Sequence, residues 1–96
     1  MNSNQFKNDR QLLKEKFLAM EKYQLPNEIS LFLRFYEDFL SKYRSKVGLG
    51  YFEELIRMKN EIEIARKSKS RKKADNMLLD IYKGLESDID ALFYID

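Results

Sequence analysis

The chain has 96 residues, of which 44% are hydrophobic and 35% charged, with a formal net charge of +2; this fits one globular domain and leaves no room for a second core. Cysteine, histidine and tryptophan are all absent, which excludes disulfide staples, zinc sites of the Cys/His kind, Ser-His and Cys-His nucleophile systems and histidine proton switches. No apolar run approaches the roughly 18 residues a membrane span needs, and the first residues are too polar for a signal peptide, so a cytoplasmic address is the default expectation.

Residues 4–24 predict a first helix, with Phe6, Leu13, Phe17 and Met20 on one stripe and Leu12 and Tyr23 near its edges. Pro26 opens a second, over 26–47, because a first-turn proline lacks an N–H that would have no acceptor there. Its broad face carries Ile29, Phe32, Leu33, Tyr36, Phe39, Leu40, Tyr43 and Val47. Leu31 and Phe35 fall outside that face, so this helix is buried on more than one side or forms part of an interface. Gly48 and Gly50 bracket Leu49 and predict a C-cap and a restart. The third helix, 49–67, runs Tyr51, Phe52, Leu55, Ile56, Met58, Ile62 and Ala65; the fourth, 74–94, runs Leu78, Ile81, Tyr82, Leu85, Ile89, Leu92 and Phe93. Gly84 is an interior glycine that weakens the fourth helix by about 1 kcal/mol relative to alanine. No strand-like alternation competes, so the expected fold is all-α. Short links favour antiparallel neighbours, giving a single-domain up-down four-helix bundle over residues 1–96. Between Ala65 and Ala74 there is no apolar residue. The chain there turns at Ser68–Ser70, the favoured reading; the alternative is one long helix whose core a second subunit completes, so monomer and homodimer both stand open.

The charge pattern is the most informative feature. Residues 1–47, 48–65, 66–73 and 74–96 carry net +3, −2, +6 and −5. The basic block comprises Arg66, Lys67, Lys69, Arg71, Lys72 and Lys73. It reads as a solvated connection, with Arg66 and Lys67 complementing the dipole at the end of one helix and Asp75 that at the start of the next, or as an anion-binding patch for nucleic acid. Against nucleic acid stand the lack of an interleaved aromatic to stack a base and the modest overall charge. The run from Ile64 to Arg71 resembles the first helix and turn of a helix-turn-helix, but Lys69 and Ser70 stand where that motif wants a glycine and an apolar residue, and Asp75 and Asp80 would face phosphates.

Glu86 and Asp90 share one helix face and would need Glu53, Glu54 or Glu61 to hold a magnesium ion. The all-α nucleotide pyrophosphatases use acidic clusters of this kind, but Arg57 stands where a further acid is wanted and Asp80 stands alone. No catalytic residue, metal or cofactor is therefore expected, and the chain is read as a non-enzyme. Tyr43, Tyr51, Phe93 and Tyr94 lie near helix ends, where aromatic side chains make interface anchors, and the apolar run from Leu92 to Ile95 must dock on the bundle or on another protein. In size, charge and helix layout the chain resembles the small four-helix immunity proteins of bacteriocin-producing bacteria, an architectural likeness that transfers no residue. The expected function is a protein-binding module acting stoichiometrically on a partner protein (immunity, inhibitor, anti-defence or chaperone/adaptor type), bacterial or phage. The alternative is a nucleic-acid-binding regulator using residues 66–73.

Overall fold

The computed structural model describes residues 3–22 and 26–95. Within them the chain forms α1 (Ser3–Glu21), α2 (Pro26–Lys42), the one-turn α3 (Arg44–Val47), α4 (Gly50–Lys67) and α5 (Arg71–Leu92), with no strand among the described residues. The all-α expectation holds. Tyr23 and Gln24, the expected end of the first helix, and Asp96 lie outside the described residues.

Two boundary differences from the sequence reading stand out, one set by a distant segment and one by a local cap. The expected 26–47 helix breaks at Tyr43, whose φ of −111° and ψ of 28° leave the helical range. That residue is held from outside its own helix. Its ring centroid lies 5.0 Å from that of Phe6 on α1, and its hydroxyl donates to the Asp9 carboxylate on α1. After α3 the chain reverses at Gly48, whose φ of 85° suits glycine and strains other residues. The second difference is the start of α5, at Arg71 rather than 74. Ser70 sits extended, and its hydroxyl accepts the backbone N–H of Lys73 at 3.3 Å. A serine N-cap of this kind satisfies one orphan donor of the first turn, so the helix begins before its first apolar residue. The turn at residues 68–70 is as expected.

The four long helices close into a ring in which every neighbour runs antiparallel. Phe6 meets Tyr43 and Phe17 meets Phe32 across α1 and α2. Lys59 pairs with Glu37 and Arg66 reaches Asn27 across α2 and α4. A Cβ on Gly84 of α5 would lie 3.1 Å from Met58 Cε of α4, so the absent side chain lets these two helices approach. The ring closes between α5 and α1, where Lys14 pairs with Asp90 and the Tyr82 hydroxyl donates to the Met20 carbonyl at 3.4 Å. The apolar stripes of all four meet in one core running from Phe6 to Leu92.

Arg10 sits at this closure. It is only 8% exposed, and its Nη1 donates to the carbonyls of Leu92 at 2.8 Å and Ile95 at 2.9 Å. Its guanidinium lies 4.5 Å from the Phe93 ring centroid and 5.1 Å from that of Phe6. Replacing Arg10 by methionine keeps the bulk but leaves two carbonyls unpaired. Hydrogen bonds to charged groups are worth about 1.5–3 kcal/mol, so Arg10→Met should cost about 2–3 kcal/mol in urea unfolding, with C-terminal amides exchanging first. Unchanged stability would show the clamp to be dispensable.

Candidate functional site

The candidate residues fall at opposite ends of the bundle. Tyr43, Tyr51, Phe93 and Tyr94 cluster where α1 begins and α5 ends; Arg66 to Lys73 surround the α4–α5 turn. The molecule is 47 Å in its longest dimension, so no single contact of modest size joins the two groups.

At the aromatic end the four side chains differ. Tyr43 belongs to the core, with its hydroxyl occupied by Asp9, so it is unavailable as an anchor. Burial and that hydrogen bond push its phenol up to about 12, while the same bond and Lys42 hold the Asp9 carboxyl below its usual range. Tyr51 is half-buried against the core. Phe93 is covered on one face by Arg10, and Leu92 is buried, so the C-terminal run docks on the bundle itself. Tyr94 alone points outward, 89% exposed, beside a groove lined by Gln11, Lys14 and Asp90.

At the basic end all six cations are exposed. Arg66 is engaged with Glu63, Asn27 and Ser30. Lys67, Lys69, Arg71, Lys72 and Lys73 make no ion pair among the described residues. Because α5 starts at Arg71, its first turn is basic with no acid in it, and Asp75 falls in the second turn. The helix dipole opposes cations at that position, so the expected complement at this pole is reversed.

Sequence periodicity missed the exposed apolar side chains. Ile56, placed on the apolar run of the third helix, is turned outward, as are Leu31 and Leu12. Leu12 and Leu31 line two adjoining cavities of about 250 and 300 Å³ in the groove between α1 and α2, and Phe35 is common to both. Lys16 lies across the Phe35 ring, its Nζ 4.9 Å from the centroid. The off-stripe positions of Leu31 and Phe35, read from sequence as burial on a second side or an interface, are the signal of this groove.

The carboxylates do not assemble as a metal site: no group of three or more acids, histidines or cysteines is placed to hold a metal among the described residues. Asp90 is paired with Lys14, and Glu54 and Glu61 both bond Arg57. Asp88 is the carboxylate under strain, with Oδ2 buried and unpartnered, as is the hydroxyl of the fully buried Tyr36. Burial first, then the nearby Glu54 carboxylate, push the Asp88 carboxyl up against the pull of Arg57, and burial likewise raises the Tyr36 phenol. No family model, no curated protein and no solved structure matches the chain.

The pH dependence of Asp88 follows from that direction. A raised folded pKa favours the protonated carboxyl in the fold. The stabilisation is complete below the ordinary value of 3.8 and is lost as pH rises through the folded value. Asp88→Asn should therefore unfold at higher urea than the parent at about pH 7, with the gap closing toward about pH 3. A gap independent of pH would remove the carboxylate as its cause.

Proposed function

We propose that the chain is a non-enzymatic protein-binding module that acts by occupying a partner protein stoichiometrically, in the manner of an immunity protein, inhibitor, anti-defence factor or adaptor of bacterial or phage origin. The observation that carries this reading is the α1–α2 groove, where Leu12 and Leu31 stand 43% and 59% exposed around the half-buried Phe35. Fully burying a leucine side chain is worth about 1.5–3 kcal/mol, so a partner that inserts apolar side chains there gains affinity from the first contact. Asp9, Glu28, Asp38, Lys16 and Lys42 rim the same groove, and a charged rim favours correct encounter more than it adds affinity. A second reading, a nucleic-acid-binding regulator, is supported by the five unpaired cations from Lys67 to Lys73. Five neutralised phosphates would give log affinity a slope of about −4.5 against log salt.

The two readings separate on substitutions at opposite places. In a pull-down from lysate of the source cell, the protein-binding reading expects one partner in near-equal amount, resistant to nuclease. That capture should fall at least tenfold in Leu12→Glu/Leu31→Glu, whose helical circular dichroism stays unchanged because both positions are exposed, and should persist in Lys72→Glu/Lys73→Glu. Nucleic acid recovered instead, lost in the lysine variant and steeply with salt, establishes the second reading.

A further inference from the structure

The exposed face of α4 has a mirror order that its own packing does not require. Its buried side is Leu55, Met58, Ile62 and Ala65. Ile56 and Ile64 face the other way, 59% and 52% exposed, four residues on either side of the exposed Asn60. Glu53 and Lys67 lie seven residues out on either side. At α-helical spacing these five positions form one stripe. The charges around Asn60 are antisymmetric: Glu54 is matched by Arg66, Arg57 by Glu63, and Lys59 by Glu61.

Acids at the start and bases at the end of a helix complement its dipole. That account covers Glu53, Glu54, Arg66 and Lys67. Arg57 and Glu63 are engaged within α4, Arg57 with Glu54 and Glu61, and Glu63 with Arg66, but neither account covers two isoleucines left in water at mirror positions. A two-fold axis through Asn60 accounts for them. Two copies of α4, antiparallel about that axis, set Ile56 on Ile64 of the second copy and Asn60 on its own equivalent. Glu53 then meets Lys67 of the second copy, and Arg57 meets its Glu63. A parallel arrangement would set Glu53 on Glu53 and Lys67 on Lys67, which like-charge repulsion rejects.

We propose that the outer face of α4 is an isologous interface with a second copy of this chain, antiparallel about Asn60. A two-fold contact requires one surface patch to be complementary to itself, and opposite charges at mirror positions meet that requirement. The stripe from Glu53 to Lys67 spans about 21 Å at 1.5 Å per residue. A buried asparagine pair on the axis fixes register at some cost in stability, so the dimer forms at micromolar to millimolar chain concentration rather than as an obligate assembly. The ion pairs that Arg57 and Glu63 make within α4, with Glu54, Glu61 and Arg66, are exposed and hold little energy, so sharing them across the axis costs little. The face belongs to α4, the helix diagonal to α1 in the ring, and leaves the α1–α2 groove open. The dimer and the partner-protein reading therefore stand or fall separately.

The chain has no native cysteine, so single cysteines report the register. Helices packed about 8–10 Å apart, each with a Cα radius of about 2.3 Å, bring facing Cα atoms to about 3.4–5.4 Å, which overlaps the disulfide range of about 4.4–6.8 Å. Under mild oxidation Asn60→Cys should give a covalent dimer at least tenfold faster than Ser87→Cys, an exposed control on α5. Ile56→Cys mixed with Ile64→Cys should cross-link faster than either alone. In sedimentation over about 10 µM to 1 mM, Glu53→Lys and Lys67→Glu should each weaken association at least tenfold, and an equal mixture of the two should restore it, since mixed pairs recover both salt bridges. Monomer mass throughout, or Asn60→Cys no faster than Ser87→Cys, overturns the proposal. A dimer that the charge exchange leaves untouched places the interface elsewhere and overturns it too. Circular dichroism of each variant confirms that these exposed substitutions leave the fold intact.

Discussion

The closure of the bundle centres on one long-range clamp. The chain closes its ring by bringing the last turn of α5 against the second turn of α1, and Arg10 makes that closure from inside. One guanidinium spans two backbone carbonyls at the open end of α5, Leu92 and Ile95, and lies against Phe6 and Phe93. The last carbonyls of a helix have no acceptor role within it to fulfil, and a cation there also complements the negative pole. The same side chain therefore caps α5, covers the apolar terminus and joins elements more than eighty residues apart in sequence. The closure is not free of cost, since Arg10 Nε is buried without a partner. That imperfection is tolerable because Nη1 is used where the fold most needs it, on both terminal carbonyls.

What could be read from sequence and what could not follows from the range of the forces involved. Stripes at helical spacing found α1, α2, α4 and α5, because Leu13, Leu33, Leu55 and Leu85 each sit on a face that only one orientation can bury. The break at Tyr43 was invisible because its cause lies in other segments: Phe6 and Asp9 hold the ring and hydroxyl. The early start of α5 was a capping effect of Ser70, overlooked because apolar onset was used to place the boundary. Ile56 follows the buried Leu55 in sequence, but Leu55, Met58 and Ile62 define one face and helical phase turns Ile56 to the other. Arg10 carried no local signal at all; its acceptors are supplied by the far terminus.

Charge is arranged on a different plan from the core. The cations of the α4–α5 turn lie at one pole, away from the aromatic terminus at the other, and the body between them carries the acids of α5 and the paired charges of α4. An extended polyanion laid along the molecule would meet Asp75, Asp80, Glu86 and Asp90; only an end-on approach avoids them. This limits any nucleic-acid contact to a small area and explains why the cationic pole is weaker support for function than its local density suggests. The basic first turn of α5 is tolerated because a hydroxyl cap supplies what an acid would have supplied.

The exposed apolar side chains have a similar logic. A bundle of this size can bury only one stripe per helix, and any apolar residue beyond that stripe stays in water unless another molecule covers it. Leu12 and Leu31 flank one groove between two helices, whereas Ile56 and Ile64 flank the axis of a single helix. A groove accepts a shape different from its own; a single convex helix face with mirror-image charges accepts its own likeness. The two surfaces thus differ in shape, and because the outer face of α4 lies apart from the α1–α2 groove, both can be filled at once. On that arrangement pairing would present two partner-binding grooves on one particle, and the affinity for a multivalent partner would rise without any new contact.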